Sequence, residues 1–118
     1  ILNEHWSRLC GGDGFFTVPD PRTPGVVYSA SQFLGLQRNN LRTWEAQDIR
    51  PGDPKGRIGG RRNWETWGKP GASQVLGNQM HPANWDAPIL LSPHDTATIY
   101  AGGQHLFRSR DRGITWTD

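Results

Sequence analysis

Apolar residues in this chain come in short clusters, and no segment shows a helical period. "FFTV" (15–18) and "PILL" (88–91) are compact apolar runs closed by Pro and Asp or His. That is the pattern of a buried strand running into a turn. "GVVYSAS" (25–31) and "TIYAGG" (98–103) are β-branched and aromatic, which predicts a second strand. "LGLQR" (34–38) and "LFRSR" (106–110) give a third. A polar turn follows in each case, "NNLR" or "DRGI", and then a strand opening on Thr-Trp. The pattern predicts an all-β chain of short antiparallel strands, four to a unit.

The two sets of strands are copies of one another. Shifted by 72, Asp20–Trp44 lies over Ser92–Trp116 without a gap. Pro21, Tyr28, Gln32, Leu34, Arg38, Thr43 and Trp44 meet identical residues, and Val27 and Asn39 meet Ile99 and Asp111. The chain therefore divides into a first unit (1–50), an insert (51–83) and a second unit (84–118). Two halves of an ordinary β-sandwich are the alternative reading of the same strands.

Composition adds limits. The chain has 118 residues with 20% charged and 34% hydrophobic, enough for one small core. Six Trp, four Phe and two Tyr compensate for few aliphatics. Gly and Pro total 24, which favours turns over long helices. The net charge of +2 argues against a nucleic-acid partner for the chain as a whole. Basic residues do concentrate between Arg50 and Lys69, where six face only Asp53 and Glu65. Cys10 is the single cysteine, so no intramolecular disulfide or Cys-based zinc cluster forms. The four histidines have no metal-ligand spacing, no cofactor motif occurs, and no apolar run has membrane-spanning length. A chain that opens on Ile1 and stops after "GITWTD" is expected to be a fragment.

Ser109-Arg110-Asp111-Arg112-Gly113-Ile114-Thr115-Trp116 carries the most specific pattern, S-x-D-x-G-x-T-W. Asp111 suits a turn in which a carboxylate accepts backbone N–H groups. Gly113 supplies a positive-φ position. Ser109 closes the turn, and Trp116 is placed to wedge between sheets. The stretch resembles the Asp-box of BNR-repeat β-propellers. The first unit has a degenerate counterpart, Gln37-x-Asn39-x-Leu41-x-Thr43-Trp44, whose turn should be looser or differently bonded. "GGDGFFTVPDP" and "NWDAPILLSPHDTATIYAGG" extend the likeness over nearly all of the chain outside the insert. They are similar to bacterial proteins of the sortilin (VPS10)/BNR type, large propellers often described as glycosyl-hydrolase-like or photosystem-assembly-factor-like.

The resemblance implies propeller blades of an incomplete ring, with the remaining blades as partners. It also implies a carbohydrate or protein ligand and a secreted or periplasmic setting. It makes Ser109, Asp111, Gly113, Thr115 and Trp116 structural, because the Asp-box sits on the outer hairpin of a blade. Loops entering the first strand of each blade open on the usual ligand face. Here those loops are "GGDG" and "NWDAP", and each carries a carboxylate, Asp13 or Asp86. The two are 73 apart, one residue off the repeat. They stand as a catalytic pair for glycoside hydrolysis, one acid and one base or nucleophile, as turn residues bonded to backbone amides, or as binding groups without catalysis. Trp85 is placed to stack on a sugar, and His81 is near enough in sequence to join it. In the insert, Trp64, Trp67, Arg61 and Arg62 offer an anion- or sugar-binding loop, a weak polyanion site, or a solvated loop packed on the sheets. "GGDGF" shares lettering with the GGDEF signature of diguanylate cyclases. Gly14 replaces its Glu and no helix surrounds it.

Overall fold

The computed structural model describes residues 2–51 and 83–118. Among them the only helical element is a 3₁₀ turn at Asn3–His5; the rest is strand and loop. The first sheet contains β1 (Gly14–Pro19), β2 (Val26–Ser31), β3 (Gly35–Asn40) and β4 (Glu45–Asp48). These form an antiparallel meander in the order β1-β2-β3-β4. The second sheet contains β5 (Ile89–Leu91), β6 (Ile99–Gly102) and β7 (Leu106–Ser109), again antiparallel and in chain order. Its expected fourth strand is reduced to a single bridge between Arg108 and Thr117. The described residues form no closed barrel.

The same local chemistry turns the chain after the first strand of each unit. Asp20 Oδ1 accepts the N–H groups of Arg22 and Thr23, and Ser92 Oγ accepts those of His94 and Asp95. Short polar side chains that bond two or three residues ahead favour such turns over continued strand. The backbone follows suit: Asp20 N–H donates to Val26 C=O and Ser92 N–H to Thr98 C=O.

Successive strand residues face opposite sides of a sheet, so the burial pattern shows which faces meet. Tyr28, Ala30 and Leu36 of the first sheet share one core with Ile89, Ile99 and Phe107 of the second. Burying each of the large ones contributes about 1.5–3 kcal/mol. Tyr28 and Tyr100 hold the same place in their units, opposite Val18 and Leu90. Yet Tyr28 is in the core while Tyr100 lies on the opposite side of its sheet from Ile99. Equivalent faces therefore do not meet. The Tyr-bearing face of the first unit packs on the Ile99-bearing face of the second, head to tail. The second unit's own Tyr-bearing face carries exposed Leu90 (62%) and Leu106 (67%).

The seam is polar at one end. Arg38 Nη1 donates to Arg112 C=O (3.1 Å) and its Nη2 to Gln47 Oε1 (2.5 Å). Arg112 Nη2 reaches back to Thr23 Oγ1 (3.2 Å). Trp116 Nε1 donates to Ile49 C=O (2.8 Å). Beside them, Tyr28 Oη and Asp20 Oδ2 are buried without a hydrogen-bond partner among the described residues.

The repeat in space is not the repeat in sequence throughout. Tyr28 pairs with Arg38 and Arg38 with Gln47; Tyr100 pairs with Arg108 and Arg108 with Thr117. The offset is thus 72 in the first two strands but 70 from the third onward. The matching Thr-Trp dipeptides do not occupy the same place. Trp116 packs against the core, whereas Trp44 is 66% exposed with φ of 61°.

Candidate functional site

Asp13 and Asp86 stand at the head of the first strand of each sheet. Gly14 lies opposite Ser31 and Thr17 opposite Ser29, so β1 carries one extra residue between them, a β-bulge. β5 pairs without a bulge, Ile89 opposite Ala101. Counting the extra residue places Asp13 and Asp86 at equivalent positions, which explains their separation of 73 rather than 72. Both side chains are exposed. Asp13 N–H donates to Gln32 Oε1 (2.9 Å). Neither carboxylate has a hydrogen bond or ion pair among the described residues.

An aromatic cluster joins the two heads. Phe33 N–H donates to Trp85 C=O (3.1 Å), and the Phe33 ring stands at 85° to Trp85 with centroids 5.0 Å apart. Phe15 meets Trp85 at 79° and 6.3 Å. Edge-to-face pairs of this kind add about 0.5–1.5 kcal/mol beyond their burial. The bulge re-aims Phe15, since it lies within the irregular stretch of β1. Phe33 and Leu34 both have left-handed backbones, φ 56° and 59°, a conformation costing roughly 1–2 kcal/mol for each residue with a Cβ. The fully buried Leu34 side chain helps to hold that turn. Trp85 stays 46% exposed while Phe15 and Phe33 are half-buried. Trp85 is thus an exposed indole braced by two half-buried phenyl rings, with the exposed Asp13 and Asp86 on the adjoining loops.

The Ser109–Trp116 turn is built differently. Ser109 Oγ accepts from Gly113 N–H (2.7 Å) and Asp111 N–H (3.3 Å) and donates to Asp111 Oδ1 (2.8 Å). Asp111 also accepts Thr115 N–H (2.8 Å) and Thr115 Oγ1–H (2.5 Å). Burial is the largest single influence on this carboxyl and pushes its pKa up. The bonds from Thr115 and Ser109 together outweigh it, and the net shift is downward. Ser109 is fully buried and Gly113 lies against Ile49, while Ile114 and Thr115 stay exposed. The first unit's turn is indeed bonded differently. Asn40 Oδ1 accepts from Arg42 and Thr43 N–H, while Asn39, aligned by sequence with Asp111, bonds Ser29 Oγ in the sheet.

His81, Trp64, Trp67, Arg61 and Arg62 lie outside the described residues. Among the described residues, no three His, Cys, Asp or Glu gather to hold a metal ion, and no helix is long and apolar enough to cross a membrane. Sequence reasoning missed Phe15 and Phe33 as neighbours of Trp85, and Gln32 as the partner of the Asp13 N–H. The odd spacing of the two carboxylates was the one signal of the bulge that brings Phe15 there. Searches against protein-family models, curated proteins and solved structures return no match.

Proposed function

We propose that the chain is two successive blades of a BNR-type β-propeller, acting as a scaffold and ligand-binding module of a larger protein. The head-to-tail packing of two like meanders carries this reading. A face that accepts a neighbour in the first unit is left open in the second, and such stacking extends by repetition. The S-x-D-x-G-x-T-W turn at the seam supports it. Tyr100 and Arg108 pair as Tyr28 and Arg38 do, so the open face repeats the receptor that holds Arg112. Hydroxyl-radical footprinting tests the assignment. In the parent protein Tyr100 and Leu106 should be protected several-fold relative to the isolated chain. Equal reactivity in both would remove the reading.

A second reading follows from the free, equivalent carboxylates: a glycosidase-like hydrolase with Asp13 and Asp86 as its acid/base pair. Its test is release of product from aryl glycosides by the parent protein, lost in both D13N and D86N. Turnover surviving either substitution excludes it.

A further inference from the structure

We infer that the Trp85 cluster binds a quaternary ammonium group carried by a small molecule. The inference deepens the ligand-binding part of the proposed function and names the ligand class. Three features point to it. Phe15 and Phe33 pack edge-to-face with Trp85, at 79° and 85°, and brace an indole that stays 46% exposed. Aromatic faces attract a diffuse, weakly hydrated cation through the ring quadrupole. Asp13 and Asp86 then supply negative charge on both loops that flank the rings, and neither is neutralised by a cation among the described residues. Among those residues the nearest basic neighbours in sequence are Arg8 and Arg22 on one side and His94 on the other. The platform is also fixed before any ligand arrives. Gln32 holds the Asp13 backbone, and Phe33 N–H holds the Trp85 carbonyl, so little ordering accompanies binding. A primary ammonium would instead seek direct hydrogen bonds to the carboxylates; full alkylation shifts its preference to the rings.

The test is a titration of the full chain with choline, followed at the Trp85 indole N–H in nitrogen–proton spectra and assigned with W85F. Parallel titrations use 3,3-dimethylbutan-1-ol, the uncharged isostere, n-butylammonium and glucose. Choline should shift the Trp85 signal saturably, at least about five-fold more tightly than the isostere. W85A should abolish the response at the remaining cluster signals. The D13N/D86N pair should weaken binding several-fold and flatten its dependence on salt. Equal binding of choline and the isostere, equal or tighter binding of n-butylammonium, a response to glucose alone, or no shift at ~100 mM choline would each overturn the inference. The Trp116 indole N–H, bonded to Ile49, reports whether the two sheets remain packed. A failed titration with that signal in place rejects the ligand class and leaves the blade reading to its own footprinting test.

Discussion

Gly113→Ala probes the seam where the turn and the first sheet meet. Gly113 has φ of +88°, and a Cβ there would lie 2.7 Å from Ile49 Cδ1 and 2.8 Å from Ile49 Cβ. Ile49 is β-branched and 1% exposed, so it has little room to yield. The positive φ costs about 1 kcal/mol for a residue with a Cβ, and overpacking a rigid neighbour about 1–3 kcal/mol. The expected loss is therefore roughly 2–4 kcal/mol. Gly12→Ala is the matched control. Its φ is +86°, and its Cβ meets the end of the Gln32 side chain, which can swing away only by giving up its bond to the Asp13 N–H. It should cost about 1–2 kcal/mol, the backbone strain plus an exposed hydrogen bond. Urea unfolding followed by tryptophan fluorescence and circular dichroism measures both. Ile49→Ala removes the Cδ1 and Cγ1 contacts but leaves Cβ, so the double variant should recover part of the Gly113→Ala loss, a coupling of about 1 kcal/mol. If Gly113→Ala costs no more than Gly12→Ala, or if it adds to Ile49→Ala without coupling, the packed seam is wrong.

Three further outcomes are expected. Trp116→Phe keeps much of the packing but loses the bond to Ile49 C=O, and should cost about 1 kcal/mol in the same unfolding assay. Tyr28→Phe removes a buried hydroxyl that has no partner among the described residues, so its stability at neutral pH should stay within about 0.5 kcal/mol of wild type or rise. Burial first, and then Asp20, hold the Tyr28 pKa above its ordinary value. Stability from this group is intact below pH about 10 and is lost as pH rises through the folded pKa; Tyr28→Phe should lessen that alkaline loss. The lowered Asp111 pKa has the opposite sign: its contribution is present above about pH 4 and lost as pH falls through the folded value. Thermal melts from pH 6 to 2 should show a shallower acid decline in Asp111→Asn than in wild type.

Much of the strand layout was legible from residue patterns. β-Branched and aromatic runs marked β2 and β6, and Pro with Asp or His marked the turns after β1 and β5. The four-strand expectation held for the first unit, but pairing near Thr117 gives only one bridge in the second. Sequence matching also misled in one respect. Thr43-Trp44 and Thr115-Trp116 align by identity, yet pairing from β3 onward follows a different offset, because strand pairing is set by turn length as well as by side chains. The site was legible only in part. Asp13, Trp85 and Asp86 were visible as loop residues ahead of strands. Phe33 was not, because a left-handed turn at Phe33-Leu34 is disfavoured for such residues and only the packing of Leu34 and Trp85 accounts for it.

The two departures from strict repetition differ in parity, and parity decides what a sheet tolerates. The hairpin between β6 and β7 is two residues shorter than its counterpart. An even change slides a strand without turning it over, so Arg108 still flanks Tyr100 as Arg38 flanks Tyr28. The extra residue in β1 is odd, and an odd change would have exchanged inside for outside along the remaining strand. A bulge absorbs it locally, sparing Val18 its place beside Tyr28 while turning Phe15 toward Trp85. For a chain built of such units, gains and losses of paired residues are edits that leave the core unread. A single residue leaves a mark, and here the mark falls beside the exposed tryptophan.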